Sequence, residues 1–433
     1  MQRIKVHSVS LGCPKNRVDT EGLLACLGPG LVPCDDPAGA DVVLVNTCGF
    51  IAPAVEESVD TILDLAQAIE GAEPRPLLAV VGCLVARYGA ELAREIPEVD
   101  LWLPTRELHR WPALMTAALG RELPAPEPPG RVLSTGPAYA YVKVAEGCDH
   151  RCSFCTIPGI RGPLASRPLE AIRDEAAALL GAGVRELVLV AQDLTAWGRD
   201  LGDPRGLAAV LEALLPLPGL ARLRPMYLYP GGLTPELLDF MRLAGPPLVP
   251  YFDIPLQHAH PEILKSMGRP FARDPRLVVE RVRERFPDAA LRTSLIVGYP
   301  GETEAHFRAL MDFAAQARFH HLGVFGYCDE EGTRAHGLPG KVPDAVIAER
   351  REALMAQQAR ISADILAGYE DTEQLVLVDR AHEEWPGLHV GRCWFQAPEA
   401  DGVTYISGEG VAPGALVRAR IHEAQTYDLV ALA

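Results

Sequence analysis

Apolar runs alternate with amphipathic stretches along the chain, and the way they alternate divides it into three regions. Up to about Arg110, three short runs (Ile4–Leu11, Asp41–Asn46 and Leu77–Val81) are apolar enough to be buried on both faces. Stretches of helical period follow them at Arg17–Leu27, Pro53–Ile69 and Tyr88–Glu95. A strand needs apolar side chains on both faces only when both faces are covered, as in a parallel sheet flanked by helices. The first region is therefore expected to be a doubly wound parallel sheet. The proline-rich run Leu123-Pro124-Ala125-Pro126-Glu127-Pro128-Pro129 then reads as a linker.

From about Thr135 to Gly368 a strand–helix unit recurs. Strands are expected at Tyr139–Ala145, Glu186–Ala191, Arg222–Tyr229, Tyr251–Leu256, Leu291–Val297 and His321–Tyr327. Thr234 before Pro235 and Asp274 before Pro275 read as N-caps followed by proline at the first helical position, and Thr303 is a further cap. Six such units predict an incomplete (βα) barrel, short of the eight that close one, with its chemistry at the C-terminal ends of the strands. A long helix from Asp344 to about Leu366 closes the region.

The helical period stops there. Short strands at Glu373–Asp379, His389–Phe395, Val403–Ile406, Leu416–Ile421 and Tyr427–Ala431, separated by Gly and Pro turns, predict a small barrel of oligonucleotide-binding type. The chain is thus expected to be α/β, with domains at 1–118, 135–368 and 369–433 and a linker at 119–134.

Composition narrows the setting. No apolar run approaches the ~20 residues that span a bilayer. The start, Met1-Gln2-Arg3-Ile4-Lys5-Val6, has no signal-peptide pattern. A soluble, cytoplasmic protein is expected, with no membrane partner. Ten cysteines are too sparse for a disulfide framework in a chain of 433 residues, so they are expected to be packed thiols, metal ligands or catalytic groups. The net charge of −16 suits a basic protein partner better than a nucleic-acid backbone, whose phosphates require cations.

The sharpest chemistry lies in Cys148-Asp149-His150-Arg151-Cys152-Ser153-Phe154-Cys155, just after the first barrel strand. Zinc would want a fourth protein ligand nearby, and none follows. Three thiolates on a four-iron cube leave one iron open, and that iron can hold the amino and carboxylate groups of S-adenosylmethionine. An electron from the cluster then cleaves the sulfonium to a deoxyadenosyl radical.

Cys13, Cys48 and Cys83 form a subtler set. Each closes a predicted strand beside a glycine (Gly12, Gly49, Gly82), and in a parallel sheet the C-terminal strand ends share one edge. Singly, each is more often a packed thiol; together they read as ligands of a second cluster. Cys26, Cys34, Cys328 and Cys393 read as structural. At the barrel's strand ends, Gln192, Gln257 and Gly298 are the candidate contacts to S-adenosylmethionine. The run Gln257-His258-Ala259-His260 is expected to be hydrogen-bonded and to hold no third metal.

Taken whole, the chain resembles the methylthiotransferases, which join an N-terminal domain with three separated cysteines to a radical S-adenosylmethionine core and a TRAM domain. Within them, Ser10-Leu11-Gly12-Cys13-Pro14-Lys15-Asn16-Arg17-Val18-Asp19 resembles the RimO family, whereas tRNA-modifying MiaB-type relatives usually carry glutamine and methionine after that first cysteine. Gly391-Arg392 and Ala397-Pro398-Glu399-x-Asp401-Gly402 resemble RimO too. The resemblance implies two 4Fe-4S clusters and two molecules of S-adenosylmethionine per product, one for the methyl group and one for the radical. It implies methylthiolation of the β-carbon of an aspartate in small-subunit ribosomal protein S-twelve, free or in the subunit. Cys148, Cys152 and Cys155 would generate the radical, Cys13, Cys48 and Cys83 would present the sulfur, and an external donor would supply electrons. A monomer is expected.

From Asp371 to the C-terminus, ten acidic residues face four arginines, a poor start for holding tRNA. A tRNA methylthiotransferase of MiaB type is the nearest rival. An iron–sulfur carrier is the rival from another class, although a carrier needs no barrel cavity.

Overall fold

The computed structural model of the protein describes residues 3–120, 122–124, 130–269 and 274–433. Met1 and Gln2, and residues 125–129 of the expected linker, lie outside the described residues. The chain forms two compact units that interleave in sequence. The first takes the residues up to Ser134 with Glu146–His150 and Cys155–Ala165; the second takes Thr135–Ala145, Arg151–Phe154 and Ser166–Ala433.

In the first unit five parallel strands lie in the order Leu31–Pro33, Ile4–Ser10, Val42–Thr47, Leu77–Gly82, Leu101–Pro104. Both faces are covered, which is why residues 42–45 and 77–81 are apolar at every position. Val42 and Leu44 pack with Leu23, Leu24, Trp111 and Met115 on one side, and Val43 and Val45 pack with Ile62, Leu65 and Leu84 on the other. Each such buried side chain contributes roughly 1.5–3 kcal/mol. The two edge strands and the helix Trp111–Leu119 are additions to the sequence reading. The strands are three and four residues long and end in proline, too short to show a period. The helix Cys83–Glu95 begins five residues before the expected Tyr88. Gly82, at φ +109°, turns the strand straight into it, and a Cβ there would lie 2.4 Å from Asn46 Oδ1. The chain order reverses between Ile4–Ser10 and Val42–Thr47, opening a crevice at their C-terminal ends.

The stretch before Thr135 is tied to this unit. Leu123 and Val132 pack on its core, the Arg131 guanidinium pairs with buried Glu21, and Ser134 donates to Glu21 Oε1 from its N–H (2.9 Å) and hydroxyl (2.6 Å).

In the second unit six parallel strands follow chain order as two three-stranded sheets. The first holds Tyr139–Lys143, Glu186–Val190 and Arg222–Pro225; the second holds Tyr251–Asp253, Ala290–Val297 and His321–Gly326. A parallel bridge from Leu223 to Leu248 and the Leu228 N–H on the Asp253 carbonyl (2.8 Å) join them. The strands expected to reach Tyr229 and Leu256 stop at Pro225 and Asp253. Pro225 and Pro255 have no N–H for the ladder. Thr234 caps its helix by accepting the Leu237 N–H, and Thr303 forms a capping box with His306. Asp274 differs from expectation: Pro275 occupies the cap position, the helix starts at Arg276, and Asp274 Oδ1 accepts the Arg276 N–H at 3.0 Å. The long helix spans Asp344–Ala367.

The C-terminal strands close into a barrel in the order Glu373–Ala381, His389–Arg392, Thr404–Ser407, Leu429–Leu432, Leu416–Ala424. Ion pairs lock it to the partial barrel. Glu186, fully buried, accepts from Arg224 Nε (2.6 Å) and from Arg392 Nη1 (2.8 Å), and Arg392 also forks onto Asp379 (2.7 and 2.9 Å). Asp401 takes Tyr251 Oη and Arg292 Nη1, each at 2.7 Å. No helix among the described residues is long and apolar enough to cross a membrane.

Candidate functional site

Within the first unit the crevice at the strand ends gathers Cys13, Cys48 and Cys83. Cys13 caps the helix Pro14–Ala25, its carbonyl accepting the Asn16 N–H (2.9 Å), so the thiol sits at the positive end of a helix. Cys48 follows Val42–Thr47; its N–H donates to Ser58 Oγ (3.1 Å), which donates back to the Cys48 carbonyl (2.9 Å). Cys83 is the first residue of its helix, and its Sγ lies 3.9 Å from Asn16 Oδ1. Gly12, at φ +88°, brings the first turn against the second: a Cβ there would lie 2.8 Å from Cys48 Cβ and 3.1 Å from its Sγ. Gly49 is pressed as closely on the backbone of Cys83 and Leu84. Asn16 ties the strand ends, donating to the carbonyls of Leu11 (2.9 Å) and Thr47 (3.0 Å), while Asn46 Nδ2 donates to the Asn16 carbonyl (2.9 Å).

Two cations belong to this pocket, and the sequence reading singled out neither. Lys15 is buried beside Cys13. Arg161, from the short helix Ile157–Arg161, is buried as well, and its charge acts on the Cys83 and Cys13 thiols. It donates to Glu146 Oε1 (2.7 Å) and Asn16 Oδ1, and lies 3.6 Å from Asp19. Arg106 anchors that short helix by donating to the carbonyls of Ile160 (2.9 Å) and Pro158 (3.0 Å). The thiols respond unequally. Burial raises the Cys13 pKa, but Lys15, Arg161 and the neighbouring N–H groups outweigh it and hold it below the usual thiol value. Burial dominates at Cys48 and pushes Cys83 up to about 11. Three soft sulfur donors in a walled, cation-lined pocket fit an iron–sulfur cluster.

The loop of the other three cysteines enters through Gly147. At φ +72°, a Cβ there would overlap the Pro163 carbonyl oxygen at 1.9 Å, so only glycine fits. The Cys148 N–H donates to the Gly162 carbonyl (3.0 Å) and Leu164 N–H to Asp149 Oδ1 (3.0 Å), while past Cys155 the Thr156 hydroxyl donates to the Phe50 carbonyl (3.2 Å). These contacts lie in the first unit. In the second unit, the residue after Cys152 is held by three bonds. The Ser153 N–H donates to the Met267 carbonyl (2.9 Å), its carbonyl accepts the Ala335 N–H (2.8 Å), and its hydroxyl meets Tyr299 Oη at 2.7 Å. Phe154 packs on Leu264, Met267 and Tyr299, with the Arg269 guanidinium over its ring.

Among the candidate cosubstrate contacts, Gln192 follows the strand Glu186–Val190. Gln257 has φ +74° and bridges to Leu295, its N–H on the Ser294 carbonyl (2.8 Å). Gly298 has a packing reason of its own: at φ +77°, a Cβ there would lie 2.3 Å from Ile347 Cγ1 on the long helix. His258 is fully buried and hydrogen-bonded at both nitrogens, to Glu302 Oε2 (3.2 Å) and the His260 N–H (2.9 Å). His260, Glu262 and His306 approach one another within 4.8 Å. Nδ1 of both histidines accepts a backbone N–H, which leaves the ring proton on Nε2 and opposes metal binding there.

The pattern of similarity to known proteins follows this division. Residues 142–314 match the family model of the radical SAM superfamily, 5–104 that of uncharacterized protein family UPF0004, and 372–433 that of the TRAM domain. Ribosomal protein uS12 methylthiotransferase RimO of Nitratidesulfovibrio vulgaris strain Hildenborough is 64% identical over 99% of this chain and 100% of its own length. The RimO of Oleidesulfovibrio alaskensis is 61% identical over the same shares, and that of Geobacter sulfurreducens 44% over 98% of each chain. Among solved structures, the radical S-adenosylmethionine methyltransferase TsrM from Kitasatospora setae aligns with a TM-score of 0.58 over 83% of this chain and 89% of that one. At 15% identity that likeness speaks for the fold alone.

Proposed function

Because this chain belongs to the RimO family of ribosomal protein uS12 methylthiotransferases, we propose that it attaches a methylthio group to the β-carbon of an aspartate in uS12, with two 4Fe-4S clusters and two molecules of S-adenosylmethionine per product. It is a radical S-adenosylmethionine methylthiotransferase. The observation that carries the two-cluster reading is the convergence of Cys13, Cys48 and Cys83 at the strand ends under Lys15 and Arg161.

When bound, the clusters and S-adenosylmethionine supply the cleaving electron, the hydrogen-abstracting radical and the sulfur. Cys148, Cys152 and Cys155 would hold the radical-generating cluster, and Phe154, between the last two, packs on Leu264, Met267 and Tyr299. Cys13, Cys48 and Cys83 hold the sulfur-presenting cluster, and Asn16 fixes the spacing of the strand ends that carry them. Gln192, Gln257 and the turn at Gly298 orient the adenosyl and methionyl groups. An external donor supplies electrons, and the protein works as a cytoplasmic monomer on uS12, free or in the small subunit.

Anaerobic reconstitution tests this. The wild type should bind about eight iron atoms per chain and the C13A/C48A/C83A variant about four, by cluster stoichiometry. The variant should still form deoxyadenosine yet leave uS12 unmodified by mass spectrometry. Modification of tRNA alone would sink the substrate assignment. Intact clusters that yield no deoxyadenosine would point to an iron–sulfur carrier.

A further inference from the structure

Arg161 lies on the segment Cys155–Ala165, which belongs to the first unit together with Cys13, Cys48 and Cys83. Its neighbour Gly162 accepts the Cys148 N–H (3.0 Å), and its own Nη1 donates to Glu146, two residues before Cys148. Its Nη2 donates to Asn16 Oδ1, the same oxygen that Cys83 Sγ approaches at 3.9 Å. The side chain is 1% exposed, so its charge acts in a medium far less screening than water. Two carboxylates accompany it, but Glu146 is 29% exposed and Asp19 stands off at 3.6 Å. The cation is shared: Glu146 at 2.7 Å is its nearest charged partner, and the Cys83 and Cys13 thiols lie within its electrostatic reach, Cys83 through the Asn16 amide oxygen that both approach.

We propose that Arg161 is a positioning residue that raises the reduction potential of the cluster held by Cys13, Cys48 and Cys83 and ties that cluster's pocket to the Cys148 loop. The proposal rests on the two-cluster reading above. A buried cation beside the ligating sulfurs favours the more negative, reduced core, and net charge is among the determinants of cluster potentials. The couple is a single electron from an external reductant, with no bond made or broken in the side chain. Lysine would keep the charge but lose the fork that holds Asn16 and Glu146 together.

The test isolates one cluster. In a C148A/C152A/C155A background, iron and sulfide per chain are counted, and the midpoint potential is read by electron paramagnetic resonance during titration with dithionite. R161Q is expected to keep the iron content of the parent and to shift the midpoint to lower potential, with R161K between the two. An unmoved midpoint at full iron content would overturn the proposal. If R161Q loads no iron, R161K decides: iron restored supports the role of the charge, and iron still missing shows a purely steric role and overturns it. If the parent background with Arg161 intact binds no iron, the two-cluster reading itself falls and takes the proposal with it.

Discussion

At the scale of single residues, position relative to a strand end mattered more than residue type. Cys13, Cys48 and Cys83 were legible because each follows a buried strand beside a glycine, and parallel strands end on one edge. Arg161 was not legible, because its meaning lies in a hydrogen bond to Asn16, 145 residues away in sequence. A lone arginine in the otherwise apolar and glycine-rich stretch Ile157-Pro158-Gly159-Ile160-Arg161-Gly162 was the available hint. Gly298 carries a second reason for its type, since the glycine expected to contact the cosubstrate also makes room for Ile347. The glycine constraint that bears most directly on the cysteine pocket is Gly12. G12A adds a methyl group 2.8 Å from Cys48 Cβ at a φ of +88° that alanine adopts at a cost of about 1–2 kcal/mol. Iron content of reconstituted G12A should fall by roughly half, toward that of a single cluster, while deoxyadenosine formation persists.

At the scale of elements, the long alternating segments were readable and the short edge strands were not. The Gly391-Arg392 and Asp401-Gly402 motifs carried a family resemblance without a stated reason, and the structure supplies one. Arg392 and Asp401 dock the C-terminal barrel on Glu186, Tyr251 and Arg292, and a Cβ at Gly402 would overlap the Tyr427 carbonyl oxygen at 1.9 Å. These motifs hold the barrel in place. R392A strands Glu186 and Asp379 with less compensation and should cost about 3–5 kcal/mol, the usual penalty for breaking a buried pair, read by chemical denaturation. The same network sets a pH dependence. Burial works to raise the Glu186 pKa, but Arg224 and Arg392 overcome it and bring it down from 4.5 to about 2. A depressed carboxylate stabilises the fold fully above its unfolded value. That contribution, on the order of 3 kcal/mol, should fade as pH falls from 4.5 toward 2, and denaturation midpoints at stepped pH would show it.

At the scale of the whole molecule, the acidic balance survives inspection of the structure in reduced form. Asp379 and Asp401 in the C-terminal barrel are spent on internal arginines, and Arg392 is itself interior. The remaining acids there still outnumber the remaining bases, and the whole chain carries −16. An association driven by that charge should slow as salt is added. The on-rate for uS12, followed by stopped flow, should drop several-fold between about 50 and 200 mM salt, where the screening length shortens toward 8 Å and below. A salt-independent on-rate would mean that contact geometry, not charge, brings the partners together.

The interleaving of the two units also has a consequence in time. The last strand of the N-terminal sheet ends at Pro104, whereas Arg161 is made 57 residues later, on a segment that returns to that sheet. At ordinary synthesis rates of about 5–20 residues per second, the sheet that carries the three thiols is synthesised roughly 3–11 s before the guanidinium that completes their surroundings. For that interval the nascent chain displays an open thiol pocket, and maleimide labelling of ribosome-stalled chains ending at Ser134 or past Ala165 should find the thiols reactive only in the shorter one. Assembly of the pocket is then ordered by translation: the strand ends that carry the three thiols are made first and Arg161 afterwards.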